Sequence, residues 1–411
     1  MFGRNMSGRM KNKMNTLERL IKYCEVDTTS DPSQECTPST NKQFDLAKLL
    51  VQELKDLGVE DVELSEHCYV YACIKGNPDK PKIAFIAHMD TAPDYNGTGV
   101  KPVIIEHYNG ESITLKDGKV IDSSKFPHLA AQKDKTLVVT EGTTLLGADD
   151  KAGVAAIMSA VEYVMSHAFD HGDMYVVFTP DEEIGGGTKC FEYDKCKADF
   201  AFTIDGGAVD IYEEETFNAA GAQVNFTGVN IHPGSAKGRM RNASLVAMEF
   251  NGMLPVNMRP EFTEGRDGFF HMMHMEGNIE KATLGYIIRN HSSEVFEQQI
   301  RLLSKVEEYI NAKYGECCKV SVKYSYKNMK EVMKDYPQVK ELAFKAMKEI
   351  GLTPKEEVIR GGTDGANLSF NGLPCPNLGA GGGNFHGPLE YCVVEEMEKA
   401  SELIVKILEL A

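Results

Sequence analysis

The chain alternates between segments with helical spacing of apolar residues and short apolar runs. Apolar side chains at helical intervals, or long alanine-rich stretches, predict helices at 17–23, 44–54 and 152–165. Runs rich in β-forming residues predict buried strands at 82–87, 175–179 and 200–204. Strands that alternate with helices in this way are typical of an α/β fold.

The pattern changes after about residue 215. Residues 218–226 and 319–325 alternate like half-exposed strands, and segments with helical spacing at 243–254 and 293–313 lie between them. This predicts an inserted two-layer α+β domain over 216–326. The main domain then comprises 15–215 and 327–411. Residues 1–14 are predicted to be a leader outside the fold: a remnant, a mis-assigned start or a frayed, disordered tail.

Polar residues follow the predicted strands at the points where the strands end. His88 and Asp90 follow the first strand, Asp181 to Glu183 the second, and Asp205 the third. Ligands of open α/β sheets bind beyond the carboxyl ends of the strands. Like charges repel, so folding alone gives no reason to gather these carboxylates at one sheet edge. The sequence therefore predicts a binding site for positive charge there.

Composition narrows the classes of partner. With 411 residues, 42% hydrophobic and 26% charged, the chain is typical of a soluble globular protein of about two domains. Its net charge of −17 argues against nucleic acid and anionic membrane as partners. No stretch approaches the roughly 18 apolar residues of a membrane span. The ten cysteines are scattered, which favours a reducing cytoplasm over a disulfide scaffold.

The candidate metal ligands form a set that lacks paired thiolates. Its members are His88, Asp149, Glu183, Asp205 and His386, with Asp90 and Glu182 beside them. Imidazole mixed with carboxylate suits zinc, cobalt or manganese in a catalytic site. Taken singly, each residue has another interpretation: a structural histidine, a helix cap at Asp149, or solvated glutamates. Their joint occurrence at strand ends favours the metal site.

Glu182 and Glu183 are adjacent in the chain. If their backbone is extended, their side chains point in opposite directions. One of the two could then hold metal while its neighbour acts as a base.

Five motifs in this order resemble those of the M20 metallopeptidase family of di-zinc exopeptidases. They are HMD at 88–90, GADDKAG at 147–153, DEEIG at 181–185, DGG at 205–207 and NFHG at 384–387. Longer matches around the first three resemble the tripeptide aminopeptidases of that family. The resemblance runs from about residue 15 to the C-terminus. It implies a zinc-exopeptidase-like catalytic domain, with a mixed sheet flanked by helices, and makes the α+β insert a lid domain of the dimerisation type.

The resemblance also implies roles for the candidate ligands. His88 and Asp205 would bind one of two zinc ions, Glu183 and His386 the other, and Asp149 would bridge them. Asp90 would orient His88, as carboxylates do for metal-bound imidazoles. Glu182 would be the general base that activates a metal-bridging water.

Three further residues match lid and substrate-binding motifs of the family. The resemblance implies that His232 stabilises the oxyanion and that Arg289 clamps the carboxylate of the substrate. Arg289 could instead be a surface or dimer-contact arginine. Arg360, in RGGTDG at 360–365, is a second cationic candidate.

The resemblance implies a cytoplasmic zinc-dependent aminopeptidase that hydrolyses the N-terminal peptide bond of tripeptides. An M20 dipeptidase, an N-acyl amino acid deacylase and a non-catalytic metal-binding homologue are the alternatives. The presence of Glu182 with the full ligand set speaks against the last. Tripeptides are the expected partners, without nucleic acid or membrane, and a homodimer is compatible with the resemblance.

Overall fold

The computed structural model describes residues 14–411, so the predicted leader lies outside the described residues except for Met14. The helices within 14–411 are α1 (Thr16–Cys24), α2 (Gln43–Asp56), α3 (Pro127–Ala130), α4 (Ala148–Ser166), α5 (Ala243–Gly252), α6 (Ser293–Tyr314), α7 (Lys330–Met333), α8 (Pro337–Glu349), α9 (Asp364–Phe370) and α10 (Val394–Leu410). Short 3-10 turns occur at Glu182–Ile184, Pro233–Ser235, Val256–Met258 and Pro260–Phe262.

The strands of the same residues belong to four sheets. They are β1 (Asp61–Leu64), β2 (Val70–Ile74), β3 (Ile83–His88), β4 (Val103–Ile105), β5 (Ile113–Thr114), β6 (Val120–Ile121), β7 (Leu137–Val139), β8 (Met174–Thr179), β9 (Phe200–Ile204), β10 (Ile211–Glu213), β11 (Asn218–Thr227), β12 (Phe269–Gly277), β13 (Lys281–Asn290), β14 (Cys318–Tyr326), β15 (Lys355–Glu357), β16 (Asn377–Leu378), β17 (Gly382–Gly383) and β18 (Tyr391–Val393).

The chain divides into two compact units. Unit 1 contains the described residues through Tyr212 together with Asp335–Glu356 and Asn371–Ala411. Unit 2 contains Glu213–Lys334 and a second segment, Glu357–Phe370. The second segment includes Arg360, whereas the sequence pattern assigned it to the main domain.

Unit 1 is built on a mixed sheet with the strand order β1-β2-β8-β3-β9-β16-β10-β15. Strands β8, β3 and β9 are parallel, and β2 pairs antiparallel with β8. Strands β3, β8 and β9 are buried along their whole length, as continuous apolar runs predict for parallel strands covered on both faces. Their carboxyl ends therefore reach the same edge of the sheet.

Helices cover this sheet. The alanine-rich α4 packs against β3 and β9 and is contacted in turn by α1 and α10, while α2 packs against β1 and β2. A smaller sheet with the order β17-β18-β7-β4 also belongs to unit 1. The predicted mixed sheet flanked by helices is confirmed.

Unit 2 is a two-layer α+β structure. Its antiparallel sheet has the order β12-β13-β11-β14, and α5 and α6 pack on it. Alternate residues of β13 are buried, as a sheet with one covered face requires. Phe226, Phe250, Leu284, Ile288 and Leu303 are members of the core between the layers. The predicted α+β insert is confirmed as an architecture.

None of the helices in residues 14–411 combines the length and the apolar composition that a bilayer-spanning segment requires.

A buried arginine joins three helices of unit 1. Arg19 on α1 is 2% exposed. Its Nε lies 2.7 Å from Oε1 of Glu53 on α2, and its Nη2 lies 2.6 Å from Oε2 of Glu162 on α4. Tyr23 donates its hydroxyl to the other oxygen of Glu53 at 2.9 Å. The charges are paired, as buried charges must be.

Arg19→Ala should destabilise unit 1 because it leaves the buried Glu53 carboxylate with only the partly exposed Lys22 ammonium, 3.7 Å away, as a cation. Breaking such a pair typically lowers the free energy of unfolding by about 3–5 kcal/mol. Urea unfolding followed by circular dichroism measures the loss. Lys195→Ala is the control, because Lys195 and Glu63 form an exposed pair at 2.6 Å and should contribute about 0–1 kcal/mol. Equal losses in the two variants would contradict the expectation.

Candidate active site

The candidate ligands from three parallel strands meet at one edge of the unit 1 sheet. His88 is the last residue of β3 and pairs in register with Thr179, the last residue of β8. The turn with Glu182 and Glu183 follows β8, and Asp205 follows β9. Ligand atoms of His88, Asp150 and Asp205 all lie within 4.8 Å of one another, and so do those of His88, Asp149 and Glu183.

The His88 imidazole is held from both of its nitrogens. Its Nδ1 lies 3.0 Å from the carbonyl oxygen of Asp90 and 3.4 Å from Oδ1 of that residue. Its Nε2 lies 2.9 Å from Oδ1 of Asp149. Burial opposes a charge on this ring, but the hydrogen bonds to Asp149 and Asp90 outweigh it and raise the pKa of His88 well above its usual value. With Nδ1 donating to Asp90, Nε2 is the atom available to a metal.

Asp149 lies between the two candidate histidines. Its Oδ2 is 3.5 Å from Nε2 of His386, which is itself 3.0 Å from Oε2 of Glu183. Burial would raise the pKa of Asp149, but the hydrogen bonds from His386 and His88 lower it. The same contacts with Asp149 and Glu183 raise the pKa of His386 to about 11. Asp149 is thus in contact with both imidazoles.

The cluster contains more negative charge than its two imidazoles can balance. Burial raises the pKa of Asp150 well above its usual value, and the neighbouring Asp205 raises it further. Burial likewise raises the pKa of Glu183. Oε1 of Glu183 is buried and has no hydrogen-bond partner among the described residues. An unpartnered carboxylate oxygen beside other carboxylates fits the coordination of a divalent cation by a mixed oxygen and nitrogen donor set.

The backbone of the turn after β8 is not extended. Glu182–Ile184 is a 3-10 turn, preceded by Asp181 and followed by Gly185 in left-handed conformations (φ 57° and 72°). The Asp90 carboxylate accepts the backbone N–H groups of Glu182 at 2.9 Å and Glu183 at 3.2 Å. The condition of an extended backbone, under which the two side chains would point in opposite directions, is therefore not met. Adjacent side chains on such a turn differ in direction by about 120°, which still separates the two glutamates.

Asp181, the first of the three consecutive acids, bonds to a different part of unit 1. Its carboxylate accepts the backbone N–H of Ser39 at 2.7 Å, the Ser39 hydroxyl at 2.6 Å and the Gln43 amide at 2.7 Å. The side chain is therefore used to fix the loop before α2 to the turn with Glu182.

Two residues at this site were missed from the sequence. Asp150 accepts the backbone N–H of His88 at 3.3 Å and that of Gly153 at 3.1 Å. Glu390 is 1% exposed and accepts the backbone N–H groups of Leu146, Gly147 and Asp149. Asp150 could have been found from its place in the GADDKAG motif, whereas no local signal distinguishes Glu390 from a surface glutamate.

The three predicted substrate-binding residues belong to unit 2, whereas the ligand cluster belongs to unit 1. His232 is exposed, and its Nδ1 accepts the N–H of Gly234 at 3.2 Å, so the neutral ring has its proton on Nε2. Arg289 uses Nη1 to donate to two backbone carbonyl oxygens, at 3.0 and 3.3 Å, and lies over the ring of Tyr326.

Arg360 makes more contacts within unit 2 than Arg289 does. Its Nη1 donates to the carbonyl oxygens of Gly265 at 2.6 Å and Asp267 at 3.1 Å, and its Nη2 donates to the Thr263 hydroxyl at 3.0 Å. Its guanidinium also lies over the rings of Phe217 and Phe269. These contacts leave Arg360 fewer donors for a ligand.

A mixed sheet whose carboxyl edge gathers buried carboxylates and imidazoles is typical of metal-dependent hydrolases. The model of Peptidase family M20/M25/M40 matches residues 140–410. The chain therefore belongs to this peptidase family, and the resemblance to M20 metallopeptidases that its motifs carry is confirmed.

Within the family, the chain is similar over nearly its whole length to proteins named peptidase T. It is 50% identical over 404 residues to peptidase T of Alkaliphilus oremlandii, which covers 96% of this chain and 99% of the relative. It is also 50% identical over 397 residues to peptidase T of Clostridium perfringens strain SM101, covering 96% and 98%.

Solved structures share the fold. An aminopeptidase of Bacillus cereus superposes with a TM-score of 0.77 at 23% identity, covering 96% of this chain and 97% of that one. A tripeptidase of Staphylococcus aureus gives 0.77 at 21% identity with the same coverage. A dinuclear metal-binding M20 peptidase of Bacillus subtilis gives 0.66 at 16% identity, covering 96% and 98%.

Proposed function

We propose that the chain is a metal-dependent aminopeptidase that removes the N-terminal residue of tripeptides. The observation that carries the proposal is the buried cluster around Asp149, with the unpartnered oxygen of Glu183 inside it and Glu182 on the same turn. Similarity to peptidase T at 50% sequence identity supports the choice of tripeptides over dipeptides or N-acyl amino acids as substrates.

In this proposal two divalent ions, zinc by preference, occupy the cluster. His88 and Asp205 would hold one, Glu183 and His386 the other, and Asp149 would contact both. When bound, the ions would supply Lewis acidity to the attacking water and to the scissile carbonyl. Asp90 would keep the His88 ring in place and, through the N–H groups of Glu182 and Glu183, the turn as well.

Glu182 would act as the general base. It would take a proton from the attacking water and return it to the amine that leaves, so one carboxylate serves both steps. Its backbone N–H is bound by Asp90, which fixes the position from which the side chain extends. His232, with its proton on Nε2, could donate a hydrogen bond to the oxyanion, and Arg289 could bind the terminal carboxylate of the substrate.

The two adjacent glutamates should have separable roles. Glu182→Gln should keep about two divalent ions per chain by elemental analysis and lower kcat on tripeptides by about 10²–10⁴-fold, because the proton acceptor is lost. Glu183→Gln is the matched variant and should lower the metal content of the purified protein. A Glu182→Gln enzyme with near wild-type kcat would contradict the assignment of the base, and an active metal-free enzyme would contradict the metal site.

Tripeptide selectivity can be tested at Arg289. Amidating the C-terminus of a tripeptide removes a charge without moving the scissile bond, and should lower kcat/KM by about 2–4 kcal/mol if the carboxylate is bound in a desolvated pair. Arg289→Ala should cause a similar loss on the free acid and little further loss on the amide.

If the losses caused by amidation and by Arg289→Ala add up, Arg289 does not bind the terminal carboxylate of the substrate. Arg360 then becomes the candidate for that role. A panel of dipeptides, tripeptides and N-acyl amino acids with product identification completes the test, because the proposal requires release of a free N-terminal residue chiefly from tripeptides.

We further propose a homodimer in a reducing cytoplasm. All ten cysteines are free thiols, which a reducing compartment maintains.

The homodimer is proposed from the edge of the unit 2 sheet. In unit 2, β12 is an edge strand with exposed methionines, among them Met273 at 61% and Met275 at 44%. Exposed apolar edge strands favour association with another chain.

Met273→Lys with Met275→Lys should therefore shift the protein from dimer to monomer in sedimentation velocity. Tyr309→Lys, at an exposed position of α6, is the control and should leave the dimer intact. A wild-type monomer at micromolar concentration would exclude the dimer, and recovery of the native protein from an extracytoplasmic fraction would exclude the cytoplasm.

A further inference from the structure

A buried glutamate far from the ligands in sequence holds the backbone around Asp149. Oε2 of Glu390 accepts the N–H groups of Leu146 at 2.8 Å and Gly147 at 2.9 Å, and its Oε1 accepts the N–H of Asp149 at 3.0 Å. The side chain thus satisfies three buried or half-buried donors at once.

Two of these donors, Leu146 and Gly147, precede α4, and the third, Asp149, belongs to its irregular first turn. Gly147 is left-handed (φ 78°), and the dihedrals of Asp149 and Asp150 are non-helical. The first N–H groups of any helix lack intrahelical acceptors, and a negative charge there is also favoured by the helix dipole. Glu390 supplies the acceptors, and burial raises the pKa of its carboxyl to about 7 against the opposite effect of these N–H groups.

Glu390 also lies on the segment that contains His386. That segment is stabilised by two short-range hydrogen bonds, from the Glu390 N–H to the Gly387 carbonyl oxygen at 3.3 Å and from the Asn384 amide to the Leu389 carbonyl oxygen at 3.2 Å. Through Glu390, the backbone of Asp149 is therefore tied to the segment whose imidazole lies 3.5 Å from the Asp149 carboxylate.

We propose that Glu390 is a positioning residue that holds Asp149 in register with His386 and thereby sets the affinity of the metal pair. The inference rests on the proposed function, since it assumes that Asp149, Glu183 and His386 bind metal. Glu390 does not itself enter the cluster, because its two oxygens are directed at backbone N–H groups. Its effect on a metal ion is exerted through the position of Asp149.

Glu390→Gln tests the proposal with little change in volume. An amide has one accepting oxygen, which can keep the N–H groups of Leu146 and Gly147, while its NH₂ group then faces the N–H of Asp149. The change should therefore displace Asp149 more than the rest of the turn. Replacing residues that orient metal ligands typically weakens metal binding about 10–100-fold.

The control is Glu395→Gln. Glu395 also binds a backbone N–H, since both of its oxygens accept from Thr136 at 2.9 and 3.0 Å, but within residues 14–411 it has no hydrogen bond or ion pair with the candidate ligands. A general loss of stability would affect both variants, whereas a loss of metal affinity should be confined to Glu390.

The experiment titrates the full-length proteins with Zn²⁺ and Co²⁺ against a chromophoric chelator, and records Co²⁺ absorption and thermal unfolding. We expect Glu390→Gln to weaken the binding of at least one of the two ions about 10–100-fold and to alter the Co²⁺ absorption spectrum. We expect Glu395→Gln to bind both ions as the wild type does. Glu390→Asp keeps the carboxyl group on a shorter side chain. It replaces Glu390→Gln in the experiment if that variant does not fold.

Two outcomes overturn the inference: wild-type affinity for both ions in the Glu390 variants, or equal weakening in Glu395→Gln. Wild-type protein that binds neither ion would overturn the proposed function instead. The failure of one is thus distinguishable from the failure of the other.

Discussion

Burial of like charge at one edge of the unit 1 sheet is the constraint on which the rest of the site depends. Asp149, Asp150, Glu183 and Asp205 converge on His88, and Asp149 and Glu183 also lie beside His386. Without a further cation, the histidines can relieve the repulsion only by holding protons, and burial favours protonation of Asp150 and Glu183 as well. Such a cluster is expensive in an apolar surrounding unless cations occupy it.

The carboxylates that surround the cluster have a different role from the carboxylates within it. Asp90, Asp181 and Glu390 are also buried carboxylates, but each accepts backbone N–H groups of another segment. Each joins segments that are distant in the sequence. Some acidic residues of this region are thus directed at one another and others fix the turns that bear them, and Asp150 does both.

The strand-end residues could be predicted because the relevant signal is local. An apolar run followed by a polar residue places His88, Glu183 and Asp205 at the sheet edge, and parallel strands bring these ends together. The 3-10 turn at Glu182 could not be predicted in the same way. It depends on the Asp90 carboxylate, which lies 92 positions from Glu182 in the sequence.

Glu390 and β12 were missed for related reasons. Glu390 is separated from its three donors by 241 to 244 positions, and nothing near it in the sequence indicates burial. In β12, the segment FFHMMHMEG lacks apolar and polar alternation because much of this edge strand is exposed and its pairing with β13 contains an irregularity. Its place in the sheet is determined by β13, not by its own pattern.

The two candidate arginines of unit 2 differ in which of their N–H groups remain available to a ligand. Binding a carboxylate through two parallel hydrogen bonds requires two N–H groups on the same side of a guanidinium. Arg360 already uses both terminal nitrogens on Gly265, Asp267 and Thr263. Arg289 donates through Nη1 alone, and the part of the chain that the structure describes offers no carboxylate to it. Its Nε and Nη2 remain available as a pair, and stacking on Tyr326 limits the freedom that binding would remove.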